Sequence, residues 1–216
     1  MRQRRRLDFQ YVRQTLTPSS PCTNFSGHPS TGDIYIADGG NFTIRKVSQN
    51  EVSDFVGNGM IGSLTEFKSG SAIGVDAILT NPVSLRLALD GASLLLTESA
   101  QAARIVRIDL QTRDVSMVAG GNGEGGEDGI VSSATINAPN DIAEEKTGAV
   151  WFSSDYHMLG CVTHDGHVKT KAGKYSEVGC NPWTATAAFN NVLKRRMAEG
   201  KNRCVRAAHV CIASMK

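Results

Sequence analysis

The sequence has few aromatic residues and no long apolar segment. Phe, Trp and Tyr make up 6% of the 216 residues, which argues against an enzyme built around a large stacked pocket. No apolar run is long enough to span a bilayer, and the basic start at residues 1–6 is not followed by the apolar core of a secretory signal. We therefore expect no membrane span, and the missing signal favours an intracellular location.

Cysteines are also few, and they are scattered. No CxxC spacing occurs among them, and no Ser/His/Asp or Cys/His arrangement is supported by the spacing, so no catalytic residue is assigned. Cys161 stands in a strand-like segment and is expected to pack there. An odd number of cysteines without a signal peptide favours reduced thiols, while a Cys161–Cys180 bridge stays open as the alternative. The five are Cys22, Cys161, Cys180, Cys204 and Cys211.

Charge is unevenly distributed along the chain, although the net charge is only +2. Residues 1–16 carry five arginines against Asp8, and residues 184–216 carry seven basic side chains against Glu199. The intervening residues 17–183 hold 11 basic and 19 acidic side chains. RNA, which requires a positive surface, would therefore have to contact the basic ends. We expect residues 1–20 to be disordered.

A unit of nearly 60 residues recurs along the acidic part of the chain. In residues 32–59 an apolar run ends at Asp38, a polar turn follows, and two further apolar runs lead to a glycine. Similar runs occur at 93–98, 104–108 and 115–120, and again at 150–155, 159–162 and 168–173. We expect Asp38, Glu98 and Asp155 to be turn acids that accept backbone N–H groups. The second strands should bury Ile34, Ile36, Leu94, Leu96, Val150 and Phe152.

This pattern resembles the NHL repeat, whose copies are the blades of a β-propeller. The resemblance implies an all-β fold with four antiparallel strands per blade, arranged as an open three-blade arc with a basic, amphipathic, helical C-terminal tail. The expected domains are a disordered segment at 1–20, a repeat region at 21–183 and the tail at 184–216. Within the repeat region we expect blades at 21–59, 82–121 and 139–174 and the start of a fourth at 181.

Three blades are fewer than the roughly four to eight that close a propeller ring. The chain is therefore expected to be a fragment of a longer propeller, or to pair with a second copy as a homo-oligomer that completes a six-bladed ring. The end faces of the arc are expected to be apolar and uncovered. Three interpretations of the tail stay open. It could dock on a blade, bind an anionic surface, or be sequence that does not belong to the propeller.

NHL-like propellers include protein-interaction platforms, RNA-binding modules, extracellular sensor domains and lyases. The resemblance favours a non-catalytic scaffold that binds protein partners through its blade loops, because rigid rings present loops for recognition and a fold alone does not imply an activity. The alternatives are an RNA-binding module and a metal-dependent lyase or hydrolase of the propeller type.

No cofactor or metal is assigned. Linkers 57–62 and 121–126 both fit G-x-G-x-x-G, but they recur between blades and open no helix, unlike a dinucleotide site. Two sets of metal ligands remain as hypotheses: a calcium site in the acidic linker and a zinc site of the lyase type. Their residues are Asn122, Glu124, Glu127 and Asp128 for calcium, and His28, His157, His164 and His167 for zinc.

Overall fold

The computed structural model describes residues 24–61, 74–99, 103–154 and 158–173. Within these ranges the chain forms three antiparallel sheets, two short 3-10 helices (Gly39–Asn41 and Gly74–Asp76) and no α-helix. The predicted all-β fold with blades of four antiparallel strands is confirmed. The predicted fourth blade and both basic termini lie outside the described residues.

Each sheet is one blade. Blade 1 contains β1 (Asn24–Gly27), β2 (Ile34–Asp38), β3 (Thr43–Ser48) and β4 (Glu51–Val56). Blade 2 contains β5 (Pro82–Leu87), β6 (Ser93–Glu98), β7 (Arg104–Asp109) and β8 (Val115–Gly120). Blade 3 contains β10 (Pro139–Glu144), β11 (Val150–Ser154), β12 (Met158–Val162) and β13 (His167–Ala172). It also has a fifth strand, β9 (Gly129–Ile130), which the linker adds beside β13.

Hairpins connect successive strands of each blade, and their turns follow from the sequence. Gln49 and Asn50 form the two-residue loop between β3 and β4, with φ angles of 50° and 72°. Two successive positive φ angles are what a type I′ turn requires, and this turn matches the twist of the paired strands. The alternation of turns and apolar runs therefore produces an up-and-down sheet in every blade.

The blades stack side by side in sequence order as an open arc. Inner strand β5 contacts both β1 and β10, so the first strands of the three blades are neighbours around the propeller axis. Tyr35 and Ile44 of blade 1 share a buried cluster with Leu94 and Leu96 of blade 2. On the other face of blade 2, Leu95 shares a second cluster with blade 3. Each fully buried leucine stabilises the stack by roughly 1.5–3 kcal/mol.

The predicted second strands are confirmed as β2, β6 and β11. Five of the six apolar residues expected there are buried, and Ile34 is half-buried. Middle blade 2 shows the strongest form of the pattern, because all six residues of β6 are buried. A strand that lies between two other sheets needs apolar groups on both faces, and residues 94–96 provide them.

The strand register places two of the three predicted turn acids at equivalent positions. Asp38 pairs with Thr43, Glu98 pairs with Arg104, and Ser154 pairs with Met158, each at the end of the second strand. Ser154 therefore occupies the position of Asp38 and Glu98 in blade 3. Asp155, the next residue in the sequence, lies outside the described residues, so its role as a turn acid stays a prediction.

Apolar side chains on both end faces of the arc are buried at four positions. Ile36 and Val47 lie on the face of blade 1 that points away from blade 2, and their exposed fractions are 6% and 2%. Leu159 and Cys161 lie on the far face of blade 3 and are also buried. The prediction of bare end faces is wrong for these side chains, whereas Phe25 of β1 is 58% exposed.

Candidate functional site

A cleft opens beside the linker that leaves blade 1. The linker is held by two backbone hydrogen bonds of 3.1 Å, from Gly57 N–H to the Gly74 carbonyl and from Asn58 N–H to the Ala77 carbonyl. Gly57 has a φ of 106°, and a Cβ there would collide with the Phe42 carbonyl, so only glycine fits this turn. The backbone of the linker is thus fixed where it passes the ends of β3 and β4.

This linker cleft has a volume of about 310 Å³, at the lower end of the roughly 300–1,000 Å³ range of ligand pockets. Its walls combine amide, hydroxyl, guanidinium and carboxylate groups with two glycines and one valine. The lining residues are Asn41, Thr43, Arg45, Asp54, Gly57, Asn58, Gly59 and Val75.

Thr43 gives the linker cleft an unusual polar group. Its side-chain hydroxyl is buried and has no hydrogen-bond partner among the described residues, and Thr43 as a whole is 3% exposed. An unsatisfied buried hydroxyl costs roughly 1–3 kcal/mol. In blade 2 the same register position is held by Arg104, which is paired with Glu98. Blade 1 thus keeps a donor and acceptor at the cleft that the described part of the chain does not use.

Arg45 connects the cleft to the predicted turn acid of blade 1. Its Nε donates to Asp38 Oδ2 at 3.2 Å, and its Nη1 donates to the Asp54 carboxylate. Asp38 is 1% exposed and also accepts hydrogen bonds of 2.9 Å from the Asn41 amide. The prediction that Asp38 accepts backbone N–H groups is therefore wrong. Its side chain is bonded to the side chains of Asn41 and Arg45, and it orients these two residues of the cleft wall.

Exposed apolar side chains border the linker cleft. The described residues include seven large apolar side chains that are exposed, and three of them belong to this linker region. Met60 and Ile61 follow the lining residue Gly59 and are 65% and 58% exposed, and the lining residue Val75 is 45% exposed. Apolar groups concentrated on one surface mark interaction sites more often than scattered ones do.

A second polar arrangement passes from blade to blade across the three inner strands. Asn24, Ser84 and Asp141 occupy the same register position of the three inner strands. The Asn24 amide donates to Ser84 Oγ at 2.8 Å, and Ser84 Oγ donates to Asp141 Oδ1 at 3.0 Å. Arg86 Nη2 lies 3.5 Å from the same oxygen. We name this set the axial row.

The axial row ties neighbouring blades together at the centre of the arc. Burial raises the pKa of Asp141, and this outweighs the Arg86 charge and the hydrogen bonds from Ile142 N–H and Ser84, which lower it. The sequence did contain a signal for part of the row. Ser84 and Asp141 each stand two residues after the proline that opens the inner strand.

The residues considered for calcium have other roles in the structure. The Asn122 amide donates to the carbonyls of Ser132 and Ala134, both at 3.1 Å, so its nitrogen faces the backbone. Asp128 Oδ1 accepts hydrogen bonds from the backbone and the hydroxyl of Thr170. Across the ranges described, no three His, Cys, Asp or Glu residues are placed to share a metal ion.

The histidines considered for zinc are far apart in the fold. His28 follows β1 and its Nε2 lies 3.0 Å from the Gly91 carbonyl. His164 and His167 lie at the outer hairpin between β12 and β13, where His167 Nδ1 is 3.4 Å from Asp165 Oδ2. His157 is outside the described residues. The described members therefore do not converge on one point of the axis.

The remaining expectations concern thiols, helices and linkers. Cys161 is a buried free thiol in β12, and burial raises its pKa, so the packing role is confirmed. Its alternative partner Cys180 lies outside the described residues. None of the helices in the described part of the chain is long and apolar enough to cross a membrane. The described residues of the two glycine-rich linkers lie between blades and none of them is in an α-helix, while residues 62–73 lie outside the described residues.

Comparisons with known proteins support the fold. No family model matches the sequence, and no curated protein matches it. A structural genomics protein of unknown function from Bacteroides thetaiotaomicron superposes with a TM-score of 0.52 at 14% identity, over 71% of this chain and 36% of that one. An auxiliary nutrient binding protein from Bacteroides ovatus gives 0.51 at 18% identity, over 69% and 36%. A chain of a nidogen/laminin complex gives 0.50 at 12% identity, over 76% and 51%.

These likenesses show the architecture and nothing finer. The chain spans about a third to a half of the length of the structures that it matches, which fits three blades of a larger ring. The NHL repeat itself is matched by no family model and stays a prediction. Among known folds, the described part of this chain is an arc of a β-propeller.

Proposed function

We propose that this chain is a non-catalytic β-propeller module that binds a protein partner through its blade loops, at the linker cleft. The observation that carries the proposal is the combination of an unpartnered buried hydroxyl, Thr43, with the exposed side chains of Met60, Ile61 and Val75 at one place. Protein interfaces join a desolvated apolar centre to a few directed hydrogen bonds, and the linker cleft offers both.

A rigid wall makes this surface suitable for recognition. The two linker hydrogen bonds to Gly74 and Ala77 and the Asp38 contacts to Asn41 and Arg45 hold the lining groups before any partner arrives. Preorganised groups lose little conformational entropy on binding, so more of the contact energy appears as affinity. A partner segment of a few residues would cover Met60 and Ile61 while a polar side chain enters the cleft.

The test is selection of binding peptides from a random displayed library on the purified full-length chain. Selected peptides should bind with a measurable Kd and shift the amide NMR signals of residues 57–61 and 74–77. Met60→Asp combined with Ile61→Asp should weaken binding at least tenfold, because charges replace the apolar contacts. Ile130→Asp is the matched control, since Ile130 is 51% exposed in the other linker. Peptides that bind equally well to the double variant would refute the site.

We also propose that the arc is completed by further blades, either from a longer propeller protein or from a second copy of the chain. Support comes from the three observed blades and from the larger size of the matched structures. Sedimentation measures this directly, because one chain has a mass of 23.1 kDa. A dimer supports pairing, and a monomer that binds an apolar dye supports missing blades. A cooperatively melting monomer without dye binding contradicts both.

A further inference from the structure

The charges that line the linker cleft balance each other. Of the lining residues that the structure describes, Arg45 is cationic, Asp54 is anionic and the rest are uncharged, and Arg45 also bonds to the buried Asp38 carboxylate, so its charge is already matched. A ligand with a net charge gains attraction from one member of the pair and meets repulsion from the other. The cleft wall therefore favours a neutral group that forms several hydrogen bonds.

The pair also presents a donor next to an acceptor. The side chain of Asp54 is 49% exposed and that of Arg45 is 23% exposed, and an ion pair open to water contributes only about 0–1 kcal/mol. A ligand can therefore exchange this contact for its own at little cost. The matching ligand has one carbonyl oxygen for the guanidinium and one N–H group for the carboxylate.

Thr43 adds a third requirement. Its hydroxyl is buried in the same wall without a partner in the described part of the chain, so a ligand that reaches it removes an existing penalty as well as forming a new bond. A carboxamide has two N–H donors and a carbonyl oxygen with two lone pairs. It therefore carries enough donors and acceptors to satisfy Arg45, Asp54 and Thr43.

We propose that the linker cleft binds the side-chain carboxamide of a Gln or Asn residue in the partner's peptide, with apolar neighbours of that residue covering Met60 and Ile61. This assignment rests on the proposed function, because it names the group that the same surface would recognise. Glu places its carboxylate against Asp54, and Lys or Arg places its cation against Arg45. Met matches the shape of Gln but offers no N–H or carbonyl group.

The probes are five blocked peptides of sequence Ala-Leu-X-Leu-Ala, in which X is Gln, Glu, Lys, Met or Leu. Titration followed by NMR should show that the Gln peptide binds roughly tenfold more tightly than the Met peptide, the effect of one or two directed hydrogen bonds. The signals of Thr43 and Arg45 should shift with Gln and not with Met.

Variants at Thr43 separate recognition from folding. Thr43→Val keeps the shape of the side chain and removes its hydroxyl, so it should erase most of the preference for Gln over Met without lowering Tm. Thr43→Ser should restore the preference, and Thr147→Val, at an exposed hairpin of blade 3, should leave it intact.

The outcomes distinguish the two proposals. Equal binding of the Gln, Met and Leu peptides at the linker cleft would overturn the carboxamide assignment and leave the protein-binding function standing. Tightest binding of the Glu or Lys peptide would also overturn the assignment. If none of the five binds and the displayed library yields no cleft-binding peptide, both proposals fail.

Discussion

Blades 2 and 3 have the same strand register at the end of the second strand but different polar chemistry. In blade 2, Glu98 is fully buried and its Oε2 accepts a 2.5 Å hydrogen bond from Arg104 Nε. Its Oε1 accepts a 2.6 Å bond from the backbone N–H of Thr80. In blade 3 the positions of Glu98 and Arg104 are held by Ser154 and Met158.

The residue before the inner strand shows the same contrast. Thr80 and Asn137 each stand two positions before the proline that opens that strand. Thr80 Oγ1 lies 3.3 Å from Glu98 Oε1, whereas the buried amide of Asn137 has no partner among the described residues. The same backbone therefore accommodates two sets of side chains. In blade 2 the charge pair and Thr80 are hydrogen-bonded to one another. In blade 3, which lacks the charge pair, the side-chain amide of Asn137 is left unsatisfied within the described ranges.

The largest expected effect comes from breaking the buried pair of blade 2. Glu98→Ala should lower the free energy of unfolding by about 3–5 kcal/mol, because it leaves the Arg104 cation buried without its carboxylate. Urea unfolding measures the loss. The matched control is Asp54→Ala, which removes an exposed partner of Arg45 and should cost no more than about 1 kcal/mol. Equal losses in the two variants would mean that burial does not decide the energy of these pairs.

Transplanting the blade 3 residues into blade 2 should cost less than breaking the pair. Glu98→Ser combined with Arg104→Met removes both charges at once, so no uncompensated ion remains in the core. The double variant should be more stable than Glu98→Ala by at least about 1 kcal/mol in the same urea series. A double variant less stable than the single one would show that the charge pair contributes net stability to the stack.

Much of this contrast could be predicted from the sequence, but not all. The run at residues 94–96 identified a strand buried on both faces, and the spacing of 60 residues between Asp38 and Glu98 placed two equivalent acids correctly. In blade 3 the spacing singled out Asp155, whereas the hydrogen-bonded register gives the equivalent position to the preceding residue, Ser154. The spacing between repeats only counts residues along the chain, whereas the register is set by the hydrogen bonds between paired strands. A shift of one residue in the register changes which side chain faces the core.

The linker cleft was less visible in the sequence than the blades. Loops were expected to bind partners, and Met60 and Ile61 were apparent only as apolar residues within a glycine-rich linker. Thr43 could not be recognised, because its hydroxyl is unusual only by comparison with the paired Arg104 at the same register position. Asp38 was predicted as an acid with a structural role, but its partners Asn41 and Arg45 follow from the three-dimensional arrangement.

A smaller effect, of opposite sign in the two blades, is expected at Thr80 and Asn137, which stand two positions before the first proline of the inner strand. Asn137→Thr should raise the free energy of unfolding by up to about 1 kcal/mol, since it replaces an unsatisfied buried amide by a group that can bond to nearby backbone. Thr80→Val should lower it by about 1 kcal/mol, since it removes a hydrogen bond to a buried carboxylate. Thermal melting of both variants measures the pair of shifts, and a loss of stability in both would contradict the assignment of Asn137 as unsatisfied.

The smallest effect concerns the buried acid that blade 3 does possess, Asp141 of the axial row. Burial raises its pKa above the ordinary 3.8, so the folded chain holds this proton more tightly than the unfolded chain does. As the pH rises from about 4 through the folded pKa, the unfolded state releases the proton first and stability falls. On acidification from pH 7 to 4, the unmodified protein should therefore keep more of its stability than Asp141→Asn does. Melting curves at matched pH isolate this difference, because the other acids contribute equally to both proteins. A larger loss in the unmodified protein would show that Arg86 and Ser84, rather than burial, control the Asp141 carboxyl.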